Sequence, residues 1–396
     1  MRSVALLRTA LETHLGKVHA RRADSIYRAV TGLVRGGKLC LTSLGRALPG
    51  ATTDKHRIKA VDRLLGKQEV HAVLPRFYRA IACWLLDGIT TPVIAVDWTG
   101  VGAHHCELSA KLCSDGRALP LLSLVFDRHD NASRGAHLRF LRELADVLPE
   151  GCKPILVTDA GFCDFWFNAV RSYGWDYVGR IRGSIRVTRD GTEHTLKEIH
   201  RLAGAHPRDL GVCLLGRYKG ANRRRIILAK EVRLKGRKRV TRRGTEGRSG
   251  TDRTCSKGAR EPWVLATSLD VRAHAVVSLY ALRTQIEQAF RDRKSHRNGW
   301  SLRLVNTRSI NRLAVLLLIA SLAELAVQLA GRAMAKAAVA RQLQANTIRH
   351  RRVFSFFFLG ISAIRNDIEA GHRQLTRAMR ELRATLTRNA AICAPL

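Results

Sequence analysis

Four side chains in one short segment of the chain could bind phosphate and metal. They are Tyr280, Arg283, Glu287 and Lys294, separated by three, four and seven positions. Each residue of an α-helix turns by about 100°, so these spacings predict one narrow stripe on a single helix. A carboxylate flanked by a guanidinium, an ammonium and a phenol could take a metal ion and DNA phosphates together. A solvated, charged helix face is the plainer alternative.

Two aspartates upstream each follow a short run of β-branched apolar residues. Asp97 stands in VIAVDWTG and Asp159 in ILVTDAGF. A turn or helix N-cap is the ordinary role for an acid such as Asp159, which precedes Ala-Gly-Phe and a helical segment. Two strand-borne aspartates and a helix-borne glutamate, however, form a cage for paired Mg²⁺ ions in phosphoryl transfer. We therefore predict that Asp97, Asp159 and Glu287 are catalytic metal ligands.

Other acids near these positions are predicted to have different roles. Asp164 lies close to Asp159 but begins a helix, so capping is expected of it. Asp127 and Asp130 lie in a polar loop after a strand. Asp292 is five positions beyond Glu287, which places it on another helix face.

The charge of the chain points to a polyanionic partner. Lysine and arginine number 69 against 32 acidic residues, which gives a net charge of +37. The basic residues are spread from end to end, so a long nucleic-acid path with strongly salt-dependent affinity is expected. A ribosome-associated protein or a binder of anionic membranes would also be basic. The nine scattered cysteines form no CxxC pair, which predicts free thiols and no structural zinc.

The N-terminal 85 residues have the periodicity of helices. Leu41–Leu48 and Thr53–Leu65 read as two helices separated by Pro49 and Gly50, the outline of a helix-turn-helix DNA reader. Many helical hairpins share this outline. The basic side of the second helix supplies the residues that we predict to contact DNA: Lys55, Arg57, Lys59 and Arg63.

From Pro92 the pattern changes to strands. The predicted order is three strands, a helix, a strand, a helix and a strand, which matches a ribonuclease-H-like α/β fold. The predicted strands are the one around Asp97, His105–Cys113, Arg117–Phe126, Pro154–Thr158 and Tyr177–Val187. The predicted helices are Ala136–Leu148 and Phe165–Tyr173. We assign 86–187 and 271–330 to this catalytic core.

Residues 188–270 are predicted to be a β-strand insertion in that core. Its strand signals are Gly211–Gly216, Arg225–Val232 and Trp263–Thr267. A basic loop, Arg233–Arg260, is expected to follow a phosphate backbone, with a solvated linker as the alternative. Trp263 could stack on an unstacked base, although a lone tryptophan is more often a core residue.

The C-terminal part of the chain is predicted to be helical. Ile310–Leu329 is nearly apolar but contains Glu324 and Gln328, so a buried core helix is expected rather than a membrane span. Residues 331–396 then form a helical C-terminal region.

These motifs resemble the DDE transposases of bacterial insertion-sequence family four. The signature of that family is Tyr, two residues, Arg, three residues, Glu, six residues and Lys, which positions 280–294 match without a gap. Similarity extends over almost the full length, through IKAVDRLLG, PVIAVDW, VTDAGF, SKGAREPWVLATSL, QIEQAFRD and QANTIRHRRVF. It is strongest toward the insertion-sequence-ten group and weaker toward the transposon-five group.

The resemblance implies cut-and-paste transposition by a cytoplasmic, nucleoid-associated enzyme. Two Mg²⁺ ions, which Mn²⁺ can replace, would be held by the three acids. Strand nicking, formation and opening of a DNA hairpin, and strand transfer would follow. Arg283 and Lys294 would contact phosphates near the hairpin, and Trp263 would help to hold a flipped base. The expected partners are the double-stranded inverted repeats, target DNA and a second copy of the chain, which would contact the C-terminal helices.

Two other functions are compatible with the same pattern. A domesticated or inactive DNA-binding protein would keep the fold and lose transposition, but the intact acids and signature argue against decay. A host nuclease of the ribonuclease-H-like class would cut without joining. The predicted DNA reader and the β insertion argue against it.

Overall fold

The computed structural model describes residues 1–162, 164–216, 222–230, 261–297, 299–336, 339–344 and 352–393. They form two compact units. One combines Met1–Pro154 with Leu282–Ala391, and the other combines Ile155–Ala281 with the chain end from Ile392. The predicted basic loop Arg233–Arg260 lies outside the described residues.

Residues 1–85, all of them described, fold into helices as their periodicity predicts. The helices are α1 (Arg2–Leu15), α2 (Ala20–Val34), α3 (Leu41–Arg46), α4 (Asp54–Gly66), α5 (Gln68–His71) and α6 (Leu74–Leu85). Each long helix buries the side chains that recur every three or four positions, such as Leu7, Leu11 and Leu15 in α1. The predicted pair of helices around Pro49 and Gly50 is present as α3 and α4.

An antiparallel sheet follows in the same unit, with its second strand in the middle. Its strands are β1 (Val93–Val101), β2 (His105–Leu112) and β3 (Leu119–Asp127). Helices α6, α7 (Arg134–Val147) and α12 (Ile310–Lys336) contact β3, and α11 (Thr284–Lys294) contacts β1. All eight residues of β2 are therefore buried, including the charged ones.

Helix α12 is the core helix of the first unit, as predicted. Its apolar run is 94% buried inside the protein, so its hydropathy reflects packing against other helices and β3. It contacts α14 (Phe356–Arg365) most extensively and also α15 (His372–Ala390), while α13 (Val339–Gln342) follows it directly. A Cβ added at Gly360 would lie 1.9 Å from the Val327 carbonyl oxygen, so glycine is required for α14 to approach α12 this closely.

The described part of the second unit contains seven strands of mixed direction. In spatial order its strands are β4 (Ile155–Thr158), β5 (Asp176–Ile181), β10 (Trp263–Thr267), β9 (Asn222–Ala229), β8 (Arg208–Leu215), β6 (Arg186–Arg189) and β7 (Thr192–Thr195). Strands β4 and β5 are parallel and are connected by α8 (Asp164–Ser172), whereas the other neighbours are antiparallel. Helices α9 (Leu196–Arg201) and α10 (Ala273–Leu282) complete the elements.

Two details of this unit differ from the prediction. The run Tyr177–Val187 is divided between β5 and β6 rather than forming one strand. A hairpin then joins β6 to β7 through Asp190 and Gly191, whose φ angles of 49° and 77° have the positive sign that a type I′ turn requires. Helix α9, which a Thr195–Glu198 capping box begins, was also not predicted within the insertion.

The chain order from β1 to β5 is the predicted one. Three antiparallel strands, a helix, a strand, a helix and a strand follow one another, with helices before and after them. This mixed α/β architecture is consistent with a ribonuclease-H-like core.

Candidate active site

The segment that carries the four-residue signature is two helices, not one. Helix α10 ends at Leu282 and α11 begins at Thr284, with a turn at Arg283 between them. Tyr280 therefore lies on a different helix from Glu287 and Lys294. The predicted continuous helix is divided in two at Arg283, whose φ of −54° and ψ of −34° remain helical, and Arg283, Glu287 and Lys294 keep the spacing of one helix face.

Arg283 brings one predicted strand acid together with the helix acid. Its Nη1 lies 3.5 Å from Oδ2 of Asp97 on β1, and its Nη2 lies 2.5 Å from Oε1 of Glu287 on α11. The side chain of Asp97 is 15% exposed and that of Glu287 is 47% exposed. Glu287 is thus open to solvent, whereas Asp97 and Arg283, which is 13% exposed, are mostly buried. The guanidinium supplies the positive charge that two neighbouring carboxylates require.

Lys294 extends this group along β1. Its Nζ donates a hydrogen bond of 2.5 Å to Oγ1 of Thr99. Thr99 is two residues beyond Asp97, so both side chains point to the same face of the strand. Burial lowers the pKa of Lys294, and the charges of Glu107 and Asp97 oppose this shift. The ammonium is thus partly withdrawn from water on the face that carries Asp97.

Asp159 follows β4 in the second unit, where the chain turns sharply. Its Oδ1 accepts a hydrogen bond of 2.8 Å from the backbone N–H of Gly161. A Cβ on Gly161 would lie 3.0 Å from that same oxygen, so glycine keeps the space around the carboxylate open. The sequence Asp-Ala-Gly therefore fixes the acid at the end of its strand.

Tyr280 and Trp263 lie against each other in the second unit. Their rings meet edge to face with centroids 4.7 Å apart, and both residues are buried, at 3% and 8% exposed. Arg180 lies beside Tyr280, and its burial lowers the pKa of the guanidinium. Trp263 is thus a packed residue in this DNA-free structure.

A family model described as the transposase DDE domain matches residues 89–323, well over half of the chain. The chain belongs to the transposase DDE domain family. Members are metal-dependent enzymes that cut DNA and transfer strands, so the chain is an enzyme of DNA transposition. No curated protein matches the chain.

We call Asp97, Arg283, Glu287 and Lys294 the open group. Its oxygen donors fit the divalent metal ions that DDE transposases generally use. Asp97 and Glu287 offer hard carboxylate oxygens, the ligands that Mg²⁺ and Mn²⁺ prefer. Both carboxylates contact the guanidinium of Arg283, so the two acids lie close to the same point. Asp159 offers the same chemistry from the second unit.

The acids that were predicted not to be ligands have other contacts. Asp292 accepts a hydrogen bond of 2.6 Å from Nε of Arg117, and Asp164 accepts one of 2.9 Å from Nε of Arg224. Asp127 and Asp130 form a loop cluster with His129, in which the potential ligand atoms lie within 4.8 Å of one another. Exposed groupings of this kind are common without a metal ion.

Of the four α4 residues predicted to contact DNA in this transposase, three are exposed and one is hydrogen-bonded within the protein. Lys55, Lys59 and Arg63 are exposed on α4. Arg57 is half-buried and bonds to the Leu48 carbonyl oxygen at 3.1 Å and to Asp54, so it joins α4 to the segment that follows α3.

A basic cleft of about 870 Å³ opens beside Arg63. Asp62 also lines it and is paired with Arg312 at 2.5 Å. The basic residues that line the cleft are His19, Arg21, Arg22, Arg63, Lys67 and Arg312.

Four charged side chains are buried together in the first unit, and of these only Glu324 was marked by the sequence. This buried quartet consists of Glu107 and Lys111 on β2, Arg293 on α11 and Glu324 on α12, each at most 2% exposed. Arg293 donates from Nη1 to Glu107 at 3.0 Å, from Nε to Glu324 at 2.8 Å and from Nη2 to Oγ of Ser321 at 2.9 Å. Lys111 donates to both oxygens of Glu324, at 2.9 and 3.1 Å. Two cations and two carboxylates thus balance within the core.

Proposed function

We propose that this protein is the transposase of a bacterial insertion sequence of family four, close to the insertion-sequence-ten group. It excises its element by nicking, hairpin formation and hairpin opening, and then joins the element to target DNA. The observation that carries the proposal is the convergence of Asp97, Arg283 and Glu287 within the segment that matches the transposase DDE domain.

The three acids are proposed to be the ligands of two divalent metal ions. Asp97, Asp159 and Glu287 supply only oxygen donors, which suits Mg²⁺ and allows Mn²⁺ as a substitute. When bound, the metal ions would activate the attacking oxygen and stabilise the leaving oxygen of an in-line displacement. The side chain of Glu287 is the most accessible part of the open group and can adjust to this role.

The DNA chemistry needs no covalent bond to the protein. Water first attacks a phosphodiester at the element end and frees a 3′ hydroxyl, which then attacks the opposite strand and closes a hairpin. A second water opens the hairpin, and the same 3′ hydroxyl attacks target DNA. Each step exchanges one oxygen on phosphorus for another, so phosphorus keeps its oxidation state and water, in the two hydrolytic steps, is the one co-reactant consumed.

The cationic side chains of the open group are proposed to hold the phosphates near the hairpin. Arg283 can present a fork to two phosphate oxygens once a metal ion neutralises Asp97 and Glu287. Lys294 contributes a compact charge at the Thr99 end of the group. Trp263 is proposed to hold a flipped base, for which its indole must leave the edge of Tyr280.

The N-terminal helices are proposed to bind the inverted repeat. Lys55, Lys59 and Arg63 present exposed charge from α4, and the basic cleft continues that charge beyond Arg63. Arg57 supports this surface by joining α4 to the segment after α3. A dimer that uses the C-terminal helices would bring two element ends together in the bacterial cytoplasm, at the nucleoid.

The test uses purified protein, Mg²⁺ and a labelled duplex that carries the inverted repeat from the borders of the element. A denaturing gel separates nicked, hairpin and joined products, and Asp97→Ala is run beside the wild type. A hairpin from the wild type alone supports the proposal. Binding without any cleavage would favour an inactive DNA-binding protein, and cleavage without a hairpin or joining would favour a nuclease.

A further inference from the structure

We infer that Arg293 is a positioning residue, which sets the rotation of helix α11 so that Glu287 and Lys294 face Asp97. This inference rests on the proposed function, because it assigns Arg293 a part in building the proposed metal and phosphate site. Arg293 itself touches neither Asp97 nor DNA in this role. It acts through the buried quartet.

The contacts of Arg293 fix α11 in two directions. Three of its nitrogen atoms donate to acceptors on two different elements, Glu107 on β2 and the pair Glu324 and Ser321 on α12. A planar fork held at three points cannot turn without breaking hydrogen bonds that are completely buried. The helix end next to Lys294 is thereby locked to the sheet and to the core helix.

A second buried contact holds the other end of the same helix. The amide of Gln285 accepts from the backbone N–H of Ser114 at 2.8 Å and donates to the Ser114 carbonyl oxygen at 2.9 Å. Gln285 and Arg293 are eight residues apart, or about 12 Å along the axis. Glu287 lies between these two anchors, roughly 120° around the helix from Arg293. The anchors therefore hold α11 by its buried side and leave the opposite side to Glu287.

An apolar residue would satisfy the packing at position 293 but would not define the rotation of the helix. Buried ion pairs often stabilise a fold no better than apolar residues of similar size, because their desolvation offsets their attraction. What Arg293 adds is direction, since each hydrogen bond accepts only a narrow range of angles. Lysine would keep the charge but could not reach Glu107 and Glu324 with separate nitrogen atoms.

The experiment separates positioning from stability by keeping the core neutral. The double variant Arg293→Met, Glu107→Gln removes one cation and one carboxylate and leaves the Lys111–Glu324 pair in place. Mn²⁺ binding is followed by electron paramagnetic resonance without DNA, and hairpin formation is followed at saturating DNA and metal. We expect Mn²⁺ binding and turnover each to fall about tenfold to 100-fold, the usual cost of losing support behind a metal ligand. The Kd for the inverted repeat should stay within about twofold, because phosphate contacts dominate it.

Arg293→Lys keeps the charge and serves if the double variant does not fold. The control is Arg225→Met, Asp209→Asn, which removes an ion pair of 2.7 Å between β9 and β8 and should leave Mn²⁺ binding unchanged. Folded Arg293 variants that bind Mn²⁺ and turn over like the wild type would overturn the positioning role alone. A wild type that neither binds Mn²⁺ nor cuts DNA would overturn the proposed function, and this inference with it.

Discussion

The first unit contains two clusters in which carboxylates surround an arginine, one open to solvent and one sealed. In the open group, Arg283 lies between Asp97 and Glu287, and Glu287 is nearly half exposed. In the buried quartet, Arg293 lies between Glu107 and Glu324, and no member is more than 2% exposed. Both clusters place an arginine between two carboxylates, and they differ most in burial.

Burial determines whether the cation of a cluster can be exchanged. The buried arginine has no water to replace its hydrogen bonds, so removing it would leave uncompensated charge in the core. In the proposed function, Arg283 would leave its carboxylates for phosphate and a metal ion would take its place, a change for which the exposed Glu287 gives access. The closed cluster is thus suited to hold the backbone, and the open one to bind and release.

The largest expected effect is on catalysis at the open group. Glu287→Gln should lower hairpin formation by about 10³-fold or more, since it removes a charged ligand from the proposed metal site. Binding of the inverted repeat should remain within about twofold of the wild type. Glu150→Gln, at an exposed position, is the matched control for loss of an acid. A loss of DNA binding equal to the loss of cleavage would make Glu287 a structural residue.

The same substitution at the two arginines should destabilise the protein to very different extents. Arg293→Met leaves an odd charge in the buried quartet and should lower the free energy of unfolding by about 3–5 kcal/mol. Arg283→Met breaks an ion pair with Glu287, which is 47% exposed, and a longer contact with Asp97, and should cost about 1 kcal/mol. Urea titration at neutral pH measures both. Equal losses would mean that burial does not distinguish the clusters.

A neutral buried contact next to Asp97 extends the comparison to pH. Trp98 donates from Nε1 to Nε2 of His137 at 3.0 Å, and burial lowers the pKa of His137 to about 4. As pH falls, His137 is therefore protonated in the unfolded chain near pH 6.5 and in the folded protein only near pH 4. Stability should decrease between about pH 6.5 and pH 4, by roughly 3 kcal/mol in total.

His137→Gln should flatten this part of the curve of unfolding free energy against pH, and the exposed His14→Gln should not. An unchanged curve in the His137 variant would show that other groups cause the acid sensitivity.

The smallest effect concerns metal binding without DNA. The guanidinium of Arg283 competes with a divalent ion for Asp97 and Glu287, so Arg283→Gln should tighten Mn²⁺ binding about tenfold, or by roughly 1.4 kcal/mol. Arg291→Gln removes an arginine from the same helix without touching the acids and should have little effect. Weaker Mn²⁺ binding in the Arg283 variant would show that the arginine supports the site instead of competing.

The strands that carry the aspartates were predictable because local signals agreed there. Apolar runs end at Asp97 and Asp159 within short distances of Gly or Pro, and β10 was predicted at its observed bounds. The sequence Asp190–Gly191 is a typical type I′ turn pair. The predicted strand before it, Tyr177–Val187, was nevertheless too long, because it spans the break between β5 and β6. The break at Arg283 has no such mark, since the residues on both sides favour a helix.

The buried quartet could not be found from local pattern alone. Glu107 and Lys111 alternate with apolar residues along β2, as charged residues do on a strand with one solvated face. Only the packing of helices over that strand shows that this face is closed. One signal was present, because Glu324 in a nearly apolar helix requires a buried partner of opposite charge.

The neutrality of the buried quartet limits how this sequence can vary between related elements. A lineage that replaces Arg293 alone must pass through a protein with an unbalanced core, and so must one that replaces Glu107 alone. Changes at these positions are therefore expected to be inherited in combinations that preserve zero charge. Aligned relatives should show the four positions covarying as a block, either charged together or apolar together.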